Sequence, residues 1–311
     1  TGNTAFGSDA LRQNTSGSSN LACGQNTLKA NTTGSSLTAV GSGALTANTT
    51  GSNNTAVGIG SLDSVTTGNN NTAVGRATGG AQTTADYNTF VGAMNGNAIT
   101  DGWGNTFIGS HTAYTATTGV RNVAVGMFSL KVMTTASSNT ALGYNSGEAL
   151  TTGGGNTLVG RNAGADITTG TQNTCIGDEA GDKITTGSNN IIIGQNAAAS
   201  STTVSNEITL GKDDITKFRI PGLSFTIDST NISAANNILP SANNSKNLGS
   251  SSLRWANLYV NDMHFSNEGK TGGNDIDGTT GNWTLQEGAD HLYIINNKTG
   301  KRYKMGLQEV D

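Results

Sequence analysis

Apolar positions along this chain follow neither the 3.6-residue period of a helix nor a simple strand alternation. They return every 17 residues, in runs of the form Asn-Thr-Ala-Val-Gly separated by polar, glycine-rich spacers. The glycine closing each run stands at Gly7, Gly24, Gly41, Gly58, Gly75, Gly92, Gly109, Gly126, Gly143, Gly160, Gly177, Gly194 and Gly211, with no insertion anywhere. A fixed period of this kind marks a repeat architecture, in which each unit buries its apolar side against its neighbours. The residue before each glycine is apolar in all thirteen units, from Phe6, Cys23 and Val40 through Ile108 to Leu210, and this column is expected to be a core. Four residues before the glycine stands Asn in eleven units, Leu37 and Glu207 being the exceptions. Nine before it stands Thr, from Thr15 to Thr202, mostly within Thr-Thr-Gly.

Units saturated with Asn, Thr, Ser and Gly are poor helices and good strands and turns. Each unit therefore predicts one rung of a β-solenoid, long enough for two short strands and two turns, and thirteen rungs stacked at ~4.8 Å make a rod about 60 Å long. Identical residues then lie above one another, so Asn and Thr side chains hydrogen-bond along ladders while glycine supplies the tight corners. Within each run, Val and Ala point to opposite faces. The Ala column is itself nonpolar (Ala22, Ala39, Ala56, Phe90, Phe107, Leu158, Cys175, Ile192), and a strand apolar on both faces is buried on both. The expectation is that Val fills the coil and Ala packs against neighbouring chains. The alternative is a flattened coil with a partly exposed Ala stripe.

Composition agrees with repetition as the source of order. Leu, Ile, Val and Phe together make up 57 of 311 residues, a level at which disorder is suspected. Disordered chains of this kind also carry high net charge and much proline, whereas here the net charge is −4, charged residues are 12% and there are two prolines. No apolar stretch has the roughly 18 residues of a membrane helix, and no basic run suggests nucleic acid. Cys23 and Cys175 are too few for a disulfide framework. Residue 1 is a Thr inside a repeat, without an initiator Met or signal-peptide pattern, so the chain is expected to be a fragment.

Beyond Gly211 the period stops. Four segments are expected: a solenoid over 1–211, neck or connector strands over 212–235, a module over 236–271, and a β-meander over 272–311. The neck includes the alternating run Leu223 to Ile227. The meander is built from Trp283-Thr284-Leu285, His291 to Ile295 and Arg302 to Met305, with turns at Gly288-Ala289-Asp290 and Asn297 to Gly300. The fold class is thus all-β: a solenoid of about thirteen rungs followed by small antiparallel modules.

Asn54 to Gly58, preceded by Thr49-Thr50-Gly51, resembles the head repeats of trimeric autotransporter adhesins, and more closely repeats found in phage tail fibres. The adhesin repeat is typically shorter, so coil shape does not transfer. Leu248-Gly249-Ser250 to Leu258-Tyr259 is similar to a module near the C-terminal ends of tail fibres, where it often precedes a chaperone domain that a fibre either lacks or loses on maturation. Asp277 to Trp283 resembles the terminal module of tail fibres from phages of marine cyanobacteria. The resemblance implies an intertwined homotrimer and a shape-bearing, extracellular virion component. Its expected partners are other tail or baseplate proteins and a bacterial surface glycan, with no nucleic acid and no membrane insertion.

Enzymatic chemistry is not expected. No Ser or Cys nucleophile motif accompanies His111, His264 or His291. Asp166, Asp178, Glu179 and Asp182 cluster in adjacent rungs, either as a paired-carboxylate site for glycan cleavage or as a solvated group offset by Lys183. Asp275-Ile276-Asp277-Gly278 starts like a calcium loop but lacks the closing Glu. The glycine-rich runs do not open helices, so phosphate binding is rejected, and no cofactor or metal is expected. Candidate receptor-contacting residues are Trp103, Trp255, Trp283, Tyr293 and Tyr303; for the aromatic residues of the last quarter a trimer core is the favoured reading over a binding surface. The expected function is a trimeric tail fibre or spike that attaches to a bacterial surface. The alternatives are a bacterial trimeric adhesin or surface filament and, third, a β-solenoid polysaccharide depolymerase.

Overall fold

A computed structural model of the chain describes residues 2–220, 225–228, 232–234, 252, 262–267 and 279–306. Every regular element among them is a β-strand, and the chain divides into two units, 1–216 and 217–311.

The first unit is a β-solenoid. Its strands are β1 Thr4–Phe6, β2 Leu21–Cys23, β3 Thr38–Val40, β4 Thr55–Val57, β5 Thr72–Val74, β6 Thr89–Ala93, β7 Thr106–Ser110, β8 Val123–Val125, β9 Thr140–Leu142, β10 Thr157–Val159, β11 Thr174–Ile176, β12 Ile191–Ile193 and β13 Ile208–Leu210. They pair in parallel in chain order, each residue opposite the one a repeat further on, as Thr55 is opposite Thr72 and Val57 opposite Val74. At ~4.8 Å per step the stack runs about 58 Å.

Each rung carries one strand, where two were expected. The rest of the rung turns through left-handed residues: after Gly58 come Gly60 (φ +62°), Leu62 (φ +50°) and Asn70 (φ +58°), and a chain that bends this often cannot extend into a second strand. Its backbone is satisfied all the same, because turns pair with turns. The Thr32 N–H donates to the Thr49 carbonyl at 2.9 Å, and the Thr32 hydroxyl donates to the same oxygen at 3.0 Å.

The core lies on the opposite strand face from the expected one. Ala22, Ala39, Ala56, Phe90, Phe107, Leu158, Cys175 and Ile192 are fully buried, whereas Phe6, Val74, Ile108, Leu142 and Leu210 are exposed. Two columns decide this. Asn stands two residues before Ala and so shares its face, and Asn can be satisfied inside. The Asn71 N–H donates to Asn54 Oδ1 at 2.9 Å, and Asn71 Nδ2 donates to Asn54 Oδ1 at 3.1 Å and to the Ala85 carbonyl at 2.8 Å. The pattern repeats from Asn88 through Asn105 and Asn122 to Asn190. The second column is the residue four after the glycine, which also points inward and leaves space for little more than a methyl beside it.

In most rungs volume is exchanged between these inward positions, Ala113 with Ala124 and Gly164 with Cys175 being small at both. Where the residue four after the glycine is large (Leu28, Leu45, Leu62, Leu130), the inward strand residue of the next rung is Ala39, Ala56, Ala73 or Ala141. Where it is Gly79, Gly147 or Gly181, the next rung supplies Phe90, Leu158 or Ile192. A Cβ on Gly147 would meet Leu158 Cδ1 at 2.7 Å, and one on Gly79 would meet Phe90 Cε2 at 2.9 Å. Phe90 and Phe107 stack with centroids 5.5 Å apart. A shorter ladder runs Asn14, Asn31, Asn48 and ends at Val65, which leaves the buried Asn48 Oδ1 without a hydrogen-bond partner.

Among its described residues the second unit holds two antiparallel sheets. β14 Lys217–Ile220, β15 Phe225–Asp228 and β16 Ile232–Ala234 form a three-stranded sheet in the neck. The C-terminal sheet has four strands, β17 Asp262–Ser266, β18 Asn282–Glu287, β19 Leu292–Asn296 and β20 Arg302–Lys304, one more than the expected meander. The added strand sets Met263 opposite Leu285 and Phe265 opposite Trp283, extending one apolar face. The Leu248 to Tyr259 run apart from Ser252, with Trp255, and the Asp275 to Gly278 run lie outside the described residues.

Candidate functional site

The outward face of the solenoid sheet is its most distinctive surface. It consists of two columns, the Thr-type residue that opens each run and the Val-type residue before the glycine. Across thirteen rungs no position in either column is charged. The first reads Thr except for Leu21, Val123, Ile191 and Ile208; the second is apolar throughout. Val74, Ile108, Ile176 and Ile193 are each 37–39% exposed and Leu142 47%, so a flat apolar strip faces outward. Strips of this size on soluble proteins mark interaction surfaces.

Trp103 lies at the corner before the strand, 46% exposed, with the Arg121 guanidinium 5.6 Å from its ring centroid. Tyr87, in the preceding rung and 64% exposed, adds a further aromatic residue that the sequence reading did not single out.

In the C-terminal sheet, strand pairing puts Phe265, Trp283, Leu285, Ile294 and Tyr303 on one face, with the Trp283 and Tyr303 centroids 6.0 Å apart. Phe265 and Tyr303 remain about half exposed. Tyr293 belongs to the other face, opposite Gln286 and Lys304. There His264 Nδ1 lies 2.7 Å from Thr284 Oγ1, which also accepts from Asn297 Nδ2 at 2.9 Å. Trp283 and Tyr303 are thus separated from Tyr293 by the two faces of this sheet.

The acidic cluster is organised by a cation. Arg161 Nε lies 2.8 Å from Asp178 Oδ1, and its Nη2 donates to Glu179 Oε1 at 2.8 Å. Those hydrogen bonds raise the Arg161 pKa, and they tie two of the four carboxylates to a guanidinium. The Asp182 carboxyl is pushed up by partial burial and by the charges of Glu179 and Asp166, with Lys183 acting against them. Glu179, Asp182, Lys183, Asn196, Lys212 and Asp213 line an open cleft of about 610 Å³. Glu207 takes the Asn position in the last rung; its N–H still donates to Asn190 Oδ1 at 2.9 Å, and hydrogen bonds from Ser200 and Thr209 hold its carboxyl below the usual range.

His111 sits in an aromatic group with Tyr114, Phe128 and Tyr144 on the corner after the strand. In sequence this corner falls in a spacer between the apolar runs and carries no motif. Among the described residues no helix is long and apolar enough to cross a membrane. No family model matches the chain, and neither does any curated protein or solved structure.

Proposed function

We propose that the chain is a structural, non-enzymatic component of a homotrimeric fibre or spike, of the phage tail-fibre kind, that attaches a virion to a bacterial surface glycan. The observation that carries this reading is the uncharged outward sheet face. Three copies bring these faces together around a common axis, so Val and Thr interdigitate where Ala was first expected to. The face measures about 58 Å by roughly 10 Å, a flat footprint of around 600 Å² per chain. Rough side-chain relief enlarges that towards the ~800 Å² per partner that stable interfaces bury. The exposed apolar face of the C-terminal sheet supports the same reading, because a small sheet with one uncovered apolar face gains stability from a partner. Trp103 and Tyr87 lie on a corner that stays accessible beside such an interface.

The two cysteines report on this packing. Cys23 lies in the outward column and is partly exposed in the single chain, whereas Cys175 is buried inside. Burial pushes the Cys175 thiol up to about 12, so it is not a thiolate at any pH where the protein is handled. In the native full chain at mildly alkaline pH, a maleimide is expected to label neither cysteine, Cys23 being covered by neighbouring copies; both react after denaturation. Stoichiometric labelling of native Cys23 alone contradicts the trimer.

A further inference from the structure

The thirteen rungs act as an alignment of the chain with itself, and they show where the repeat is broken on purpose. The position two after each glycine is left-handed in nearly every rung, and the column is rich in residues that tolerate this conformation: Asp9, Asn26, Gly43, Gly60, Asn145, Asn162, Asn196. In three successive rungs it holds Met94 (φ +56°), His111 (φ +53°) and Phe128 (φ +61°) instead. These three put larger side chains on this corner than the Asn, Asp and Gly of most other rungs do.

The displaced side chains meet others from the same corner. The His111 ring lies 5.4 Å from Tyr114 and 5.7 Å from Phe128, and Phe128 lies 6.1 Å from Tyr144, centroid to centroid. The row crosses three rungs, about 10 Å along the solenoid axis. It stays open to solvent at Tyr144 (43% exposed) and at the neighbouring Met127 (44%). Polar groups flank it: Lys131 Nζ sits 4.8 Å over the Phe128 ring and 3.0 Å from Glu148 Oε1, and Ser110 Oγ is 2.9 Å from His111 Nδ1. The Lys131–Glu148 pair cancels its own charge while offering donors and acceptors beside the rings.

We infer that this aromatic row is a saccharide site that takes an uncharged glycan chain lying along the solenoid axis. The inference rests on the reading of the chain as a glycan-attaching fibre and adds a place and a ligand class to it. Sugar rings present an apolar C–H face and a rim of hydroxyls; the face suits exposed aromatic rings, and the rim suits Lys131 and Glu148. An acidic polysaccharide gains nothing here, because the one cation is already paired.

The test is binding of the full chain to an immobilised panel of neutral and acidic bacterial polysaccharides, with Phe128→Asn/Tyr144→Ala and Trp103→Ala compared with the unaltered protein. Asn is native to the Phe128 column, so the double variant is expected to keep its melting temperature and assembly mass. It is expected to lose at least about tenfold in affinity for a neutral polysaccharide. Undiminished binding by the double variant together with loss in Trp103→Ala overturns this site and leaves glycan attachment standing. Binding confined to acidic polysaccharides, or a changed assembly mass in the double variant, also overturns it. Absence of binding to any polysaccharide by the unaltered chain overturns both the site and the attachment reading.

Discussion

Replacing Gly177 by Ala breaks the solenoid at its eleventh rung. Gly177 has φ +133°, a region open essentially to glycine alone, and a Cβ there would lie 2.6 Å from both the carbonyl carbon and oxygen of Gly194 in the next rung. Neither atom can retreat, because each belongs to backbone that repeats the same conformation above and below. Strain and overlap together are expected to cost about 3 kcal/mol or more, seen as a lowered midpoint or a split transition in thermal unfolding followed by circular dichroism. The fitting comparison is Gly60→Asn. Gly60 has φ +62°, its nearest neighbour to a Cβ is Asp63 Oδ2 at 3.8 Å, and Asn26, Asn145 and Asn162 occupy its column. That substitution is expected to be neutral or to stabilise by up to about 1 kcal/mol. Equal effects at the two glycines would show that the column after the strand is not the constraint described here.

The second large effect concerns interior volume. Leu158→Ala empties a fully buried position and is expected to cost about 2–5 kcal/mol. Gly147→Leu alone drives a side chain into Leu158 Cδ1 and against Leu130 Cδ2 of the rung before, and costs about 1–3 kcal/mol by overpacking. Combined, they recreate the Leu130 and Ala141 arrangement of the rung before, and Leu130 itself holds φ +50°, so leucine is at home in that conformation. The double variant is expected to recover most of the loss. The readout is a double-mutant cycle in chemical denaturation, with a coupling well above the ~0.5 kcal/mol scatter of independent sites. Additive losses would mean that the two columns do not share one space.

Much of the solenoid was legible in the sequence. An uninterrupted 17-residue spacing dictates parallel strands in register, because a slip of any size takes Asn, Ala and Val off their own columns in every rung. The direction of the core was misread from the Val column alone, since both strand faces are apolar. The signal lay in parity: Asn, which needs buried partners to form its ladder, shares a face with Ala, and the Gly–Phe and Leu–Ala exchanges between rungs record a fixed interior volume. The count of strands per rung was missed because left-handed turns are visible only by comparing columns, where Asn, Asp and Gly accumulate. The run around His264 is strand-like in sequence, but strand Asp262–Ser266 was not assigned to the meander because its partner Asn282–Glu287 comes only after a long polar segment.

Of the candidate receptor residues, Trp103 stands on an open corner. Trp283 and Tyr303 share an apolar sheet face, and Tyr293 lies on the opposite one. Sequence position alone did not separate them, because the face of a residue follows from strand register. The aromatic row from His111 to Tyr144 was hidden for the same reason: its members are spread over 34 positions and come together only when rungs stack.

If the uncharged outward sheet face joins copies of the chain, the mass of the native assembly in sedimentation reports it. Three times the chain mass is expected for the unaltered protein, and a single-chain mass with the β-sheet circular dichroism retained for Val91→Lys/Val125→Lys, which sets charge in the middle of the face. A well-folded single chain in the unaltered protein, or a trimer indifferent to those two lysines, would contradict it.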